Sequence, residues 1–261
     1  MNRWRIWILV AVALSIATVA PAAVKTREVE YSQDGTKLHG FLAWDDTNQG
    51  KRPGVLVVHE WWGLNEHARR QAERLARAGF VGFALDMYGD GKVTTHPQDA
   101  QTFASEATKD PEVAAARFDA ARAQLEADPH VDARHIGAIG YCFGGGVVLE
   151  MARRGTDLGA VATFHGSLAT RQPTEPGKIK APILVMTGTD DPFTTPDQVA
   201  KFESEMKAAG ANFRIIRYPG AKHSFTNPDA AKYGMSQLAY NGSADRKSWD
   251  AMVAMFRKDL K

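Results

Sequence analysis

Cysteine is almost absent from this chain, and neither sign of charge is in clear excess. The 261 residues include one Cys, so an internal disulfide is impossible and a hydrophobic core must hold the fold. Lysine and arginine number 32 against 30 acidic residues, and Arg3 and Arg5 alone account for the difference. This balance argues against attraction to a polyanion, so we expect neither nucleic acid nor an anionic membrane surface as a partner.

Sequence motifs for metals and nucleotide cofactors are also missing. His130 and His135 flank a predicted turn between strands, without the spacing or companions of a metal site. Neither a Gly-rich phosphate loop nor a dinucleotide-binding fingerprint occurs. We therefore expect a protein that works without a metal or a cofactor.

The start of the chain differs in composition from the rest. Two arginines precede an apolar run, Ile6 to Ala20, and small residues follow it. This layout predicts a cleavable secretory signal peptide over residues 1–22. An uncleaved anchor is the alternative, because the apolar run approaches the roughly 20 residues of a bilayer span. In both cases we expect residues 23–261 to be periplasmic or secreted, without stable membrane association unless the leader is retained.

From Val24 onward the sequence predicts one α/β domain. Strand-like apolar runs alternate with helical patterns, which indicates a mostly parallel central sheet with helices on both faces. The start is different, because residues 28–44 alternate around Asp34-Gly35, a signal for an antiparallel hairpin. Predicted strands follow at 54–58, 81–85, 136–141, 160–164, 183–187 and 213–218, and predicted helices at 66–78, 98–127 (divided at Asp110-Pro111), 147–153, 196–209 and 245–260.

The single cysteine lies in a motif typical of a nucleophile. Gly140-Tyr141-Cys142-Phe143-Gly144 follows an apolar predicted strand and precedes a helical run. This is the context of a nucleophile elbow, in which glycines two residues away leave room for a sharp turn. A helix N-terminus also stabilises a thiolate. The alternative is a small buried hydrophobic residue in a tight turn.

A candidate acid and a candidate base follow in the chain order of hydrolases with this elbow. Asp190 and Asp191 come just after one predicted strand, and His223 follows the next. Cys142 would attack a carbonyl carbon, His223 would move the proton, and one aspartate would orient the imidazole. Spacing alone does not choose between Asp190 and Asp191.

The predicted strand 54–58 leads into His59-Glu60-Trp61-Trp62-Gly63, where this architecture supplies an oxyanion-hole amide. The candidate donors are the backbone N–H groups of Trp61 and Phe143, each able to lower the barrier by roughly 3 kcal/mol. Glu60 adds a carboxylate that has no role in a plain serine hydrolase. The alternative for Glu60 is a solvated strand end.

Together these motifs resemble the dienelactone hydrolase family of α/β-hydrolases, over nearly the whole chain from about Val24 to the final helix. The resemblance implies a single α/β-hydrolase domain over residues 23–261 and hydrolysis of an ester or lactone bond. The matching segments are His59-Glu60-Trp61-Trp62-Gly63-Leu64-Asn65, Leu85-Asp86-Met87-Tyr88-Gly89, Gly140-Tyr141-Cys142-Phe143-Gly144-Gly145, Gly188-Thr189-Asp190-Asp191-Pro192-Phe193 and Lys222-His223-Ser224-Phe225.

The resemblance also implies roles for individual residues. It assigns Cys142 as the nucleophile, His223 as the base and Asp191 as the third member. Asp191 is preferred because it directly precedes the Pro-Phe pair that follows the family's aspartate position. The resemblance further implies that Glu60 contacts the resting thiol and assists its deprotonation when substrate binds.

Two loops depart from the pattern of the family's namesake enzymes, which bind a substrate carboxylate with arginines. The corresponding segments read Gly89-Asp90-Gly91-Lys92 and Thr226-Asn227-Pro228, without arginine. Lys92 could supply a charge but not the two-pronged grip of a guanidinium, which argues against the anionic substrate. Further candidate substrate contacts are Trp62, His165 and Phe225.

The sequence therefore predicts an exported monomer that cleaves a small-molecule ester or lactone through an acyl-enzyme at Cys142. A broad-specificity carboxylesterase or a thioesterase is an alternative with the same site. A catalytically silent, ligand-binding member of the fold is a rival, although such a protein has no need to keep the four candidate residues in register. A thiol-transfer role would require an external thiol, because the chain has no second cysteine.

Overall fold

Eight strands form one sheet at the centre of the protein. The computed structural model describes residues 23–170 and 172–261, so the predicted signal peptide, residues 1–22, lies outside the described residues. The strands are β1 (Val24–Gln33), β2 (Thr36–Asp45), β3 (Arg52–Val58), β4 (Val81–Leu85), β5 (Val131–Tyr141), β6 (Ala160–Phe164), β7 (Ile183–Gly188) and β8 (Phe213–Tyr218).

The order of the strands across the sheet is β1-β2-β4-β3-β5-β6-β7-β8. β2 is antiparallel to both of its neighbours, and every neighbouring pair from β4 to β8 is parallel. The predicted mostly parallel sheet with an antiparallel start is therefore confirmed. The carboxyl ends of the parallel strands lie along one edge of the sheet, where ligands bind in folds of this class.

A two-residue turn joins β1 to β2. Asp34 and Gly35 both have positive φ, 46° and 77°, which is the backbone of a type I′ hairpin turn. Gln33 pairs with Thr36 directly across the turn, so the turn sets the register of the whole hairpin. The hairpin predicted around Asp34-Gly35 is thus present.

Helices cover both faces of the sheet. They are α1 (Glu66–Arg77), α2 (Pro97–Thr108), α3 (Pro111–Glu126), α4 (Phe143–Arg153), α5 (Pro196–Ala208) and α6 (Gly242–Asp259). α1 and α6 pack on one face, through Leu75 and Phe256. α3, α4 and α5 pack on the other, through Phe118, Val148 and Phe202. Within residues 23–170 and 172–261, no helix has the length and apolar character needed to cross a membrane.

Two helices begin earlier than predicted. α6 starts at Gly242 because the Asn241 side chain accepts two N–H groups of its first turn. α4 starts at Phe143, so Cys142 occupies the position immediately before the helix. The long predicted helical region is divided at Asp110-Pro111 into α2 and α3, as the break indicated.

A buried ion pair joins α4 to α5. The Arg153 side chain is 2% exposed, and its Nε and Nη2 donate to the two carboxylate oxygens of Glu205 at 2.8 and 2.9 Å. Nη2 also donates to the Leu168 carbonyl oxygen at 2.9 Å. This two-pronged geometry holds the helix that follows Cys142 against its neighbour.

Arg153→Ala is expected to lower the free energy of unfolding by about 3 kcal/mol, because Glu205 would keep a poorly solvated charge without its partner. Arg154→Ala is the matched control. The Arg154–Glu112 pair is largely solvated, with side chains 30% and 76% exposed. Losing such a pair should cost less than ~1 kcal/mol. Urea unfolding followed by circular dichroism measures both variants, and equal losses would contradict the expectation.

Candidate active site

The backbone at Cys142 is strained. Its φ of 53° and ψ of −114° form a conformation that residues other than glycine rarely adopt. Hydrogen bonds hold the turn on both sides, because the Cys142 N–H donates to the Phe164 carbonyl oxygen at 3.1 Å and the Ser167 N–H donates to the Cys142 carbonyl oxygen at 3.4 Å. The sharp turn places the sulfur at the carboxyl edge of the sheet, before the first turn of α4. This is the predicted nucleophile elbow.

Two glycines make room for this turn. A Cβ atom at Gly140 would lie 2.0 Å from the Gly144 carbonyl oxygen, and a Cβ atom at Gly144 would lie 2.3 Å from the Val58 carbonyl oxygen. Both distances are far below van der Waals contact, and both involve backbone atoms that cannot swing aside. The steric reason predicted for glycines two residues before and after Cys142 is confirmed.

His223 and Asp191 form a buried hydrogen-bonded pair. The His223 Nδ1 and the Asp191 Oδ2 are 2.8 Å apart, and the Asp191 side chain is fully buried. The second carboxylate oxygen accepts the Phe193 N–H at 2.9 Å, which fixes the plane of the carboxylate. Asp190 is exposed and accepts a hydrogen bond from the Thr189 hydroxyl instead. The geometry therefore selects Asp191 from the two candidates that spacing left open.

The surroundings of His223 favour its charged form. Burial alone would lower the pKa of His223, because a charged imidazole is poorly solvated inside the protein. The neighbouring Cys142 sulfur and the Asp191 carboxylate outweigh burial and raise the pKa of His223 to about 10. Asp191 and Cys142, on either side of the ring, thus favour the cationic imidazole.

Cys142 and His223 open into the same cavity at the carboxyl edge of the sheet. Its volume is about 320 Å³, and among the described residues that line it His223 and Cys142 are the titratable ones. The wall is mostly aromatic and aliphatic. The lining residues are Trp61, Trp62, Cys142, Phe143, Ser167, Phe193, Thr194, His223, Ser224, Met235 and Leu238.

The two predicted oxyanion donors border this cavity. Trp61 follows the end of β3, and Phe143 begins α4 directly after Cys142. Within the described part of the chain, neither backbone N–H donates a hydrogen bond. Neither group would therefore have to break an existing hydrogen bond to bind an acceptor in the cavity.

Glu60 lies buried against the loop that follows His223. It is fully buried, and its two carboxylate oxygens accept hydrogen bonds from the Ser224 hydroxyl at 2.8 Å and the Asn227 amide at 2.6 Å. Donors from the loop after His223 thus bind both carboxylate oxygens, and the predicted contact with the resting Cys142 thiol stays a prediction. Burial raises the pKa of Glu60, and these two hydrogen bonds oppose the rise.

The buried His59 fixes the backbone beside Glu60. Its Nδ1 donates to the Glu60 carbonyl oxygen at 2.6 Å, while its Nε2 accepts the Met87 N–H at 3.2 Å. Burial lowers the pKa of His59, so the ring is neutral and can donate through one nitrogen and accept through the other. These bonds join the ends of β3 and β4 and hold the segment that contains Trp61.

Three of the predicted substrate contacts lie away from the cavity wall. His165 and Phe225 are fully buried and pack edge-on against each other, with the His165 Nε2 2.8 Å from the Thr226 hydroxyl. Lys92 reaches over the Phe103 ring, 5.7 Å from its centroid. As wall residues these three predictions are wrong, because the position of a residue in the sequence does not reveal where its side chain points. The fourth, Trp62, lines the cavity.

Part of the wall was missed by the sequence analysis. The Phe193 ring packs edge-on against the His223 ring, with centroids 5.0 Å apart. Met235 and Leu238 contribute another side of the cavity. In the sequence, Phe193 was used only to choose Asp191 over Asp190, and it was not predicted to line the cavity. Met235 and Leu238 gave no signal, because their segment has neither a helical nor a strand period.

Within residues 23–170 and 172–261, no group of three or more His, Cys, Asp or Glu side chains is placed to hold a metal ion. His130 instead binds Asp128, with 2.8 Å between the ring Nδ1 and the carboxylate, and His135 lies 3.2 Å from the Asp132 carboxylate. These histidines therefore serve local pairs at the opposite end of β5 from Cys142.

Comparison with known proteins finds relatives of similar length. The sequence model of the dienelactone hydrolase family matches residues 38–260. Protein usf of Aquifex pyrophilus is 28% identical over 237 residues, which cover 89% of this chain and 98% of that protein. A Synechocystis protein provisionally named carboxymethylenebutenolidase is 27% identical over 258 residues, which cover 91% of this chain and 98% of that protein.

A solved structure gives a similar result. A dienelactone hydrolase-like promiscuous phosphotriesterase from metagenomic libraries matches with a TM-score of 0.87 and 36% sequence identity. The match covers 92% of this chain and 100% of that one. The predicted resemblance and the α/β-hydrolase fold are therefore confirmed.

His223→Asn is expected to slow the alkylation of Cys142 by iodoacetamide at pH 6 by about tenfold or more, equivalent to losing ~1.4 kcal/mol of thiolate stabilisation. The reason is the loss of the cation next to the sulfur. Mass spectrometry of the single cysteine measures the rate. Asp190→Asn, which changes an exposed carboxylate outside the pair, should leave the rate unchanged. Equal rates for His223→Asn and the unaltered protein would contradict a stabilising effect of the His223 cation on the Cys142 thiolate.

Proposed function

This chain belongs to the dienelactone hydrolase family, and we propose that it cleaves neutral esters or lactones through a covalent intermediate on Cys142. Its family membership makes it a hydrolase of ester or lactone bonds. One observation carries the covalent mechanism. Cys142 and His223 line one cavity, and Asp191 binds the other nitrogen of His223.

Attack by the Cys142 sulfur on the substrate carbonyl carbon begins the proposed reaction. A C–S bond forms, and the carbonyl π electrons move to the oxygen. The N–H groups of Trp61 and Phe143 stabilise this developing charge, and each such donor contributes roughly 3 kcal/mol. Because neither N–H has an acceptor within the described residues, no existing hydrogen bond must break first.

His223 moves the proton in both halves of the reaction. As the tetrahedral intermediate collapses, the bond to the leaving oxygen breaks and the imidazolium protonates that oxygen, which leaves a thioester on Cys142. A water molecule then gives a proton to the neutral imidazole and attacks the thioester carbonyl. The C–S bond breaks, the acid departs, and the thiolate–imidazolium pair is restored.

Asp191 and Glu60 support the imidazole from different directions. Asp191 accepts from Nδ1, which leaves Nε2 as the nitrogen that exchanges protons with substrate and water. Glu60 lies close enough for its charge and that of His223 to attract each other, and it is held by Ser224 of the same loop. In the proposed mechanism Glu60 stabilises the charged imidazole and positions the loop.

The cavity favours an uncharged substrate. Apart from His223, no positively charged side chain lines the cavity among the residues that the structure describes. In the segment after His223, where the family's namesake enzymes carry an arginine, this chain has Asn227. The Asn227 amide already donates to Glu60. A substrate carboxylate would therefore lose its hydration without gaining a cationic partner.

The start of the chain supports a location outside the cytoplasm. Two arginines, an apolar run and small residues form the layout of a secretory leader over residues 1–22. We propose export to the periplasm or the medium. A free thiol in such an oxidising compartment is consistent with a chemical role, since the chain offers it no disulfide partner.

Cys142→Ala is expected to reduce hydrolysis of p-nitrophenyl acetate by more than about 10³-fold, because the nucleophile is lost while the fold is kept. Asp190→Asn is the matched control and should retain turnover. In the same assays, neutral lactones should be cleaved with a higher kcat/KM than carboxylate-bearing enol-lactones. Turnover that survives in Cys142→Ala would contradict the mechanism, and a preference for the anionic lactones would contradict the proposed substrate class.

Hydrolysis of phosphotriesters is a second candidate activity. A relative with 36% identity bears the name of a promiscuous phosphotriesterase, and a phosphotriester is also an uncharged substrate. We expect diethyl p-nitrophenyl phosphate to release one equivalent of p-nitrophenolate rapidly as Cys142 is phosphorylated, followed by slower turnover. The absorbance of p-nitrophenolate measures both phases. No release, or equal release by Cys142→Ala, would exclude this second activity.

A further inference from the structure

One wall of the cavity comes from an irregular segment near the end of the chain. We call this segment, residues Asp229–Tyr240, the strap. It begins with a short 3-10 helix, Ala230–Tyr233, and then continues without regular structure. Met235 and Leu238 of the strap line the same cavity as Cys142 and His223. The strap therefore faces the space that the substrate must enter.

The strap is tied to the loop that carries His223. Leu238 forms an isolated parallel bridge with His223, and the Ala239 N–H donates to the His223 carbonyl oxygen at 3.1 Å. The Lys222 Nζ donates to the Ser236 carbonyl oxygen at 3.0 Å. These bonds fix the position of Leu238 relative to the imidazole.

Aromatic and charged contacts hold the first half of the strap. The Tyr233 ring stacks on Trp62, with centroids 3.8 Å apart and planes only 2° from parallel. The Asn65 amide donates to the Tyr233 hydroxyl at 3.1 Å, and Arg70 binds Asp229 at 2.6 Å. The strap is thus attached both to the segment that contains Trp61 and to the His223 loop.

The cavity beside Cys142 is small. At about 320 Å³, the cavity is at the lower end of the range for ligand pockets in proteins. That range is roughly 300–1,000 Å³. Leu238 is 8% exposed and Met235 is partly buried, so both side chains are packed into the wall and not free in solvent. A wall of this kind limits the length of an apolar group more strictly than a mobile side chain would.

We propose that Leu238 and Met235 set the upper size of the substrate's apolar group, so that the preferred substrates are uncharged esters or lactones with a short alkyl or small aryl substituent. This inference rests on the proposed function, in which the substrate reacts at Cys142. Replacing Leu238 by Ala exchanges an isobutyl group for a methyl group and lengthens the space. Replacing Leu238 by Trp shortens it.

The first test uses N-alkyl iodoacetamides of increasing chain length, which react at Cys142 without requiring turnover. Rates are normalised to those of glutathione, which removes the intrinsic reactivity of each reagent. Leu238→Ala is expected to raise the ratio of the N-octyl rate to the N-methyl rate by about tenfold, in line with the 10–200-fold that one methylene is worth in a fitted apolar pocket. Met235→Ala should raise the ratio in the same direction, and Leu238→Trp should lower it.

Gln237→Ala is the matched control. Gln237 is an exposed neighbour of Leu238 in the strap and does not line the cavity, so the ratio should stay at its original value. Met235→Ala also serves as a second variant if Leu238→Ala does not fold. Ratios for Leu238→Ala and Met235→Ala that equal the ratio for Gln237→Ala would overturn the inference.

A second measurement separates this inference from the proposed function. The ratio of kcat/KM for p-nitrophenyl octanoate to that for p-nitrophenyl acetate should shift in parallel with the alkylation ratio. Shifted alkylation ratios without any ester turnover would support the strap as the size-limiting wall and contradict hydrolysis at Cys142. Cys142-dependent turnover with unshifted ratios would support hydrolysis and overturn the role of the strap.

Discussion

The arrangement of the site depends on the close packing of the Cys142 turn against the end of β3. Gly144 lies so near the Val58 carbonyl oxygen that no side chain fits, and its N–H donates to the His59 carbonyl oxygen at 3.1 Å. Because of this contact, two chain segments distant in sequence end side by side. The Trp61 N–H from one segment and the Phe143 N–H from the other therefore border one cavity, beside the sulfur.

Much of this arrangement could be predicted from the sequence, because local chemistry determined it. Asp34-Gly35 specified a two-residue hairpin turn, and Asp110-Pro111 specified a helix break and cap. The glycines around Cys142 indicated a sharp turn between a strand and a helix that pack too closely for a Cβ atom. The positions of Cys142 and His223 followed from the strand ends. The family and the ester-hydrolase activity were also anticipated correctly.

The remaining parts depend on contacts between distant segments, which have no local signature. The hydrogen-bond partners of Glu60 come from a loop more than a hundred residues away, so the sequence did not indicate them. His165 directly follows β6 and Phe225 lies in the loop after β8, yet packing turns both side chains into the core. The strap has no periodic sequence pattern, so the sequence did not indicate that Met235 and Leu238 reach the cavity. Isolated backbone contacts, such as the bridge between Leu238 and His223, hold it in place.

The two outermost strands, β1 and β8, have a consequence for the protein in concentrated solution. An unpaired strand edge is a template on which a second chain can extend the sheet. Exposed charged side chains occupy both edges, at Lys25, Arg27, Glu28 and Glu30 on β1 and at Arg214 and Arg217 on β8. A second copy that paired there would have to desolvate or oppose these charges. The two outer strands of the described sheet therefore disfavour its extension by a second chain.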